Sequence, residues 1–176
     1  MSMKTLVISL FGGPGTGKST LCANIFAKLK MQHVDVEMAP EYVKEVVWEE
    51  SFKKIENQLY IFGKQHNRLY RLMNKVEVII TDSPLLNSIV YYTGDNPHFK
   101  ELVLTEYKKM NNLSYYLERS FDYVENGRMQ TLEHAKEIDE TYRILLDENN
   151  IQYQLIKSPY DVDGIVNEVK KILNEQ

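Results

Sequence analysis

The chain has 176 residues, the length of one domain and enough to bury a core. Its composition, 43% hydrophobic and 26% charged, is that of a globular protein, and a net charge of −4 argues against a chain built mainly to grip a nucleic-acid backbone. No apolar run nears the roughly 20 residues of a membrane span, and the lone Cys22 fits a buried structural thiol in a reducing, cytoplasmic setting.

Along the chain, apolar runs of strand type alternate with helical periodicity. Lys4–Phe11 reads as a first strand ending at glycine, not as a signal peptide, because the glycine-rich loop cuts the apolar run short. Lys18–Lys30 carries Leu21, Ile25 and Leu29 at spacing four, a first helix. Val34–Met38 is a second strand and Glu41–Glu50 a short helix. The periodicity of Phe52, Ile55, Leu59, Phe62, His66, Leu69 and Met73 predicts one long helix over 52–73, with His66 on its apolar face as a core histidine. Gln58 and Gln65 then fall beside that face, as solvated polar flank or as readers of a nucleobase edge. Val76–Thr81 is a third strand, buried on both faces by its composition. Helices are expected over Pro84–Tyr92 and His98–Met110, and a fourth strand over Leu113–Leu117. Thr131 can cap a helix with the face Leu132, Ala135, Ile138, Tyr142 and Leu145. A fifth strand, Ile151–Ile156, and a closing helix, Val162–Leu173, complete the pattern. Without repeats or linkers, residues 1–176 read as a single domain: a three-layer α/β/α sandwich with five parallel strands.

The chemistry starts at Gly12-Gly13-Pro14-Gly15-Thr16-Gly17-Lys18-Ser19-Thr20, which contains G-x-x-x-x-G-K-[ST] in full between a predicted strand and a predicted helix. A phosphate chain needs several N–H donors on one concave surface, and glycine lets the backbone come close. Lys18, expected to be exposed without ligand, brings positive charge to the phosphates, Ser19 offers a hydroxyl to Mg²⁺, and the helix N-terminus points at the anion. The motif therefore reads as a P-loop for ATP or GTP, and the absence of Asn-Lys-x-Asp favours ATP.

Two carboxylates follow strands. Asp82 ends the third strand, where P-loop proteins place an aspartate beside the metal; a turn or cap role is the alternative. Glu41 follows the second strand, and strand ends line the ligand crevice of an open parallel sheet. Glu41 is the candidate for orienting or deprotonating an acceptor hydroxyl; a helix-dipole role is its alternative. Arg119 and Arg128 lie in a segment of about 118–130 that suits a lid, where arginines neutralise a transferring phosphoryl group; plain surface arginines are the other reading.

These segments, with Pro40-Glu41-Tyr42, Thr81-Asp82-Ser83-Pro84 and Tyr123-Val124-Glu125-Asn126-Gly127-Arg128, resemble the P-loop kinase domain of the nicotinamide riboside kinase type and related small AAA-type kinases and ATPases, many of them phage-encoded. Glu41 is also similar to the catalytic glutamate of deoxynucleoside kinases. The resemblance implies ATP- and Mg²⁺-dependent phosphoryl transfer to a hydroxyl of a nucleoside, nucleotide or similar small molecule. Two other readings stay open: a kinase acting on a modified base in DNA, which the acidic balance disfavours, and an ATPase switch that binds a protein partner.

Overall fold

A computed structural model describes residues 4–119, 131–158 and 160–175. β1 (Leu6–Phe11) is buried along its whole length. Successive side chains of a strand face opposite ways, so Val7 and Phe11 enter one core while Leu6, Ile8 and Leu10 enter another. A strand apolar on both faces belongs in the middle of a parallel sheet. β1 lies there, between β3 (Val78–Thr81) and β4 (Asn111–Leu117), with β2 (Val36–Met38) and β5 (Gln154–Ile156) outside them in the order β2-β3-β1-β4-β5. All four pairings are parallel, and the register sets Leu6 against Val78 and Ser9 against Thr81. The expected five-stranded parallel sheet is therefore present, with the Asp82 strand beside the P-loop strand.

One face is covered by α1 (Lys18–Met31) and α8 (Val162–Asn174), through Leu21, Ile25, Leu29, Ile165 and Val169. The other is covered by α4 (Gln58–Tyr70), α5 (Asn87–Val90), α6 (Phe99–Lys108) and α7 (Leu132–Glu148), through Phe62, Ile89, Phe99, Val103 and Tyr142. These layers make the α/β/α sandwich. Among the described residues, no helix is long and apolar enough to cross a membrane. Cys22 is buried on α1, as expected, and burial raises its thiol pKa.

The region between β2 and β3 departs from the sequence reading. The single helix expected over 52–73 is two helices, α3 (Phe52–Glu56) and α4, preceded by α2 (Tyr42–Trp48). Asn57 breaks it: its backbone leaves helical geometry, and its side chain accepts the Tyr60 N–H as an N-cap. The buried face of α4 is Gln58, Ile61, Phe62, Gln65 and Leu69; of the expected face it keeps Phe62 and Leu69, whereas Leu59 is 51% and Phe52 47% exposed. His66 is accordingly not a core histidine. It is partly exposed, 3.3 Å from Glu106 and stacked on Tyr70. The helix expected over Pro84–Tyr92 shrinks to the single turn of α5, and β2, β3 and β5 are shorter than their apolar runs. α7 agrees closely: the Thr131 hydroxyl accepts the His134 N–H, and Ala135, Ile138, Tyr142 and Leu145 are buried, though Leu132 of the expected face is 38% exposed.

Candidate functional site

Parallel strands bring their C-terminal ends to one edge, and strand order fixes what meets there. β1 leads into Gly12, β3 leads into Asp82 on one side of it, and β4 leads toward Arg119 on the other. β2, beyond β3, ends near Glu41. Two acids, the P-loop and an arginine therefore line up along the edge.

Gly12, Gly15 and Gly17 have φ of 136°, 84° and 89°. At Gly12 a Cβ would also lie 2.9 Å from the Leu117 carbonyl oxygen and from Thr16 Oγ1, so the loop closes only with glycine there. The Thr16 hydroxyl donates to the Gly13 carbonyl at 3.0 Å, and Lys18 Nζ donates to the carbonyls of Gly12 (2.6 Å) and Gly13 (2.8 Å). Lys18 is thus half-buried and folded back on the loop, not exposed as the sequence suggested. Burial lowers its pKa, against the attraction of Glu41, Asp82 and Asp139. α1 starts at Lys18 with no side-chain cap and no acid in its first turn, which leaves N–H donors for an anion.

On the β3 side the Ser19 hydroxyl donates to Asp82 Oδ2 at 2.6 Å, while Asp82 Oδ1 accepts the Glu41 backbone N–H at 3.1 Å. A hydroxyl and a carboxylate side by side are hard oxygen ligands that suit Mg²⁺. Among the described residues there is no cluster of three His, Cys, Asp or Glu able to hold a metal, so an ion here would draw its other ligands from phosphate and water. Burial pushes the Glu41 carboxyl above the ordinary carboxylate range; Lys18 and Lys44 oppose this and Asp82 adds to it. The segment carrying Glu41 is held from α4. Gln65, 3% exposed, accepts the Tyr42 N–H at 3.0 Å and reaches the Ala39 carbonyl and Thr81 hydroxyl at 3.5 Å. Arg68 donates to the Pro40 carbonyl at 3.1 Å and pairs with Glu45 at 2.6 Å.

On the β4 side Arg119 bonds Asp139 of α7 and the Pro14 carbonyl, and Asp139 also accepts the Gly13 N–H. The Tyr160 hydroxyl donates to the Thr16 carbonyl and covers Gly17. Of the expected lid at about 118–130, Glu118 and Arg119 are described; Arg128 lies outside the described residues. The sequence reading missed Asp139 and Tyr160 and misplaced Gln65. Two of them carried a signal. Gln65 stands between Phe62 and Leu69 on the helical repeat, and Asp139 stands four residues after the buried Ala135.

A family model described as an AAA domain matches residues 7–162. No curated protein sequence matches significantly. Among solved structures, thymidylate kinase from Ehrlichia chaffeensis superposes with a TM-score of 0.62 at 15% identity, over 97% of this chain and 99% of that one. Deoxyadenosine kinase from M. mycoides, with bound dATP, superposes with a TM-score of 0.56 at 19% identity, over 96% of this chain and 99% of that one. At these identities the likeness is one of fold, the P-loop α/β/α architecture that these kinases share. The family match runs from β1 to the first residue of α8, and the chain belongs to this AAA-domain family of P-loop proteins.

Proposed function

We propose that the chain acts as one P-loop unit, an ATP- and Mg²⁺-dependent kinase that transfers the γ-phosphoryl group to a hydroxyl of a nucleoside or nucleotide. The observation that carries this reading is the second carboxylate. Glu41 is tied by its backbone to Asp82, which is tied in turn to Ser19 of the P-loop. The phosphate-binding loop with its metal-side acid still lacks a group to position the nucleophile. A further carboxylate of raised pKa next to it suits an acceptor hydroxyl that must be oriented and relieved of its proton.

The roles follow from position. The Gly12–Thr20 loop and the N-terminus of α1 bind the phosphates, and Lys18 turns its ammonium from the Gly12 and Gly13 carbonyls to the β- and γ-phosphates. Ser19 and Asp82 hold Mg²⁺, which when bound neutralises charge on the phosphate oxygens. Glu41 receives the acceptor proton. Arg128 is kept from the sequence as the group that meets the charge of the transferring phosphoryl. A modified base in DNA is a poorer acceptor, because it asks for free cations along the rim. Arg68, the cation bonded to the Pro40 carbonyl beside Glu41, is paired with Glu45.

The reading is tested by ATP consumption with and without acceptor. A correct nucleoside or nucleotide raises turnover well above the slow hydrolysis of ATP alone. Turnover raised by a protein partner and by none of these acceptors replaces the kinase with a switch.

A further inference from the structure

We propose that Asp139 is a positioning residue for the P-loop: with Arg119 it clamps Gly13 and Pro14 in place and so sets the affinity for ATP. The inference rests on the nucleotide-binding half of the proposed function and adds to it a residue two turns into α7, remote in sequence from the loop.

The clamp is a closed ring of hydrogen bonds. Asp139 Oδ1 accepts the Gly13 N–H at 2.7 Å. Asp139 Oδ2 accepts from Arg119 Nε at 2.9 Å and Nη2 at 2.8 Å. Arg119 Nη1 donates to the Pro14 carbonyl at 2.7 Å, and Nη2 also reaches the Ala135 carbonyl at 3.4 Å. Both side chains are largely covered, at 12% and 19% exposure, so the pair is screened less than a surface ion pair. α7 is itself held against β4, since the Tyr116 hydroxyl donates to the Asp139 carbonyl at 3.0 Å.

The loop needs such a brace. Three of its residues are glycines at positive φ, which cost the most conformational entropy to order. Thr16, Lys18 and Tyr160 tie down carbonyls of the loop, whereas Asp139 takes an N–H of its first turn. An order imposed before the ligand arrives reduces the entropy lost on binding. Arg119 spends Nε, Nη1 and Nη2 on Asp139 and on loop or helix backbone, which makes it part of the brace rather than a group on the transferring phosphate.

The test is calorimetric binding of a non-hydrolysable ATP analogue with Mg²⁺ to the full chain, alongside kcat at saturating ATP with an acceptor. Asp139→Ala and Arg119→Ala should each raise Kd about tenfold, or about 1.4 kcal/mol. The double variant should also lose about tenfold, because each change breaks the same ring. Asp139→Asn keeps an acceptor for Gly13 and should lose less. kcat should stay within about twofold in all of them, a split that general loosening of the fold does not produce. If the alanine variants do not fold, Asp139→Asn and Arg119→Lys carry the same comparison. Losses that multiply to about a hundredfold in the double variant overturn the clamp, as does an unchanged Kd. So does an Arg119 variant that loses kcat while its ATP affinity holds. A wild-type protein that binds no ATP overturns the nucleotide reading and the clamp together; variants indistinguishable from an ATP-binding wild type overturn the clamp alone.

Discussion

Gln65→Leu should separate the placing of Glu41 from the binding of ATP. The substitution puts an apolar side chain of comparable volume between Phe62 and Leu69, so packing changes little. What it removes is the acceptor for the Tyr42 N–H, at 3.0 Å. The two contacts of Nε2, both at 3.5 Å, are too long to weigh much, and the Ala39 carbonyl keeps the Thr81 hydroxyl at 2.7 Å. The cost is thus that of one part-buried N–H left without its partner, about 1–3 kcal/mol. In a chain of this size that lowers Tm by about 2–12 °C. Activity should suffer beyond stability, because Tyr42 adjoins Glu41 and a shift near 1 Å at a reacting group lowers turnover roughly tenfold to a hundredfold. ATP affinity should hold, since the P-loop lies beyond Asp82. Thermal unfolding, ATP binding and kcat on the same preparation decide it. Tm and kcat both at wild-type values refute the strut, and so does a variant that loses ATP affinity while keeping kcat.

Lys18→Ala should abolish phosphoryl transfer and leave the sheet intact by circular dichroism; near-normal turnover would remove Lys18 from the mechanism. Asp82→Asn should shift the Mg²⁺ dependence of turnover to higher concentration by more than it lowers Tm, because it weakens the partner of the Ser19 hydroxyl; an unchanged Mg²⁺ titration counts against the assignment. Burial holds the Glu41 carboxyl above its ordinary value of 4.5, so its base form predominates only above that raised value. kcat should fall as pH drops through it, and Glu41→Gln, roughly a hundredfold slower, should lack that limb. For stability the sign is the reverse: the folded state holds this proton more tightly, so the contribution is full below the unfolded value and lost as pH rises through the folded one. Glu41→Gln should flatten that decline, and unfolding midpoints across pH measure it.

The P-loop was legible because its chemistry sits in consecutive residues with a strand before and a helix after. Glu41 and Asp82 were legible as strand-end acids, because parallel strands bring their ends to one edge. The brace was not. Gly13 and Asp139 are 126 residues apart, and no local pattern pairs them. The same limit misread the segment before β3. Period-three and period-four spacing from Phe52 to Met73 fits one helix, but Asn57 caps its own helix and turns Gln58 and Gln65 inward. A glutamine on an apolar stripe, like an aspartate beside one, signals a long-range partner that periodicity cannot name.

The most direct measurement is transfer of label from γ-labelled ATP to a panel of nucleosides and nucleotides, with Mg²⁺ present and with chelator as the control. Kinase activity requires a labelled product from at least one of them, absent with chelator and absent with Lys18→Ala. Label released only as inorganic phosphate, whatever the acceptor, would contradict it.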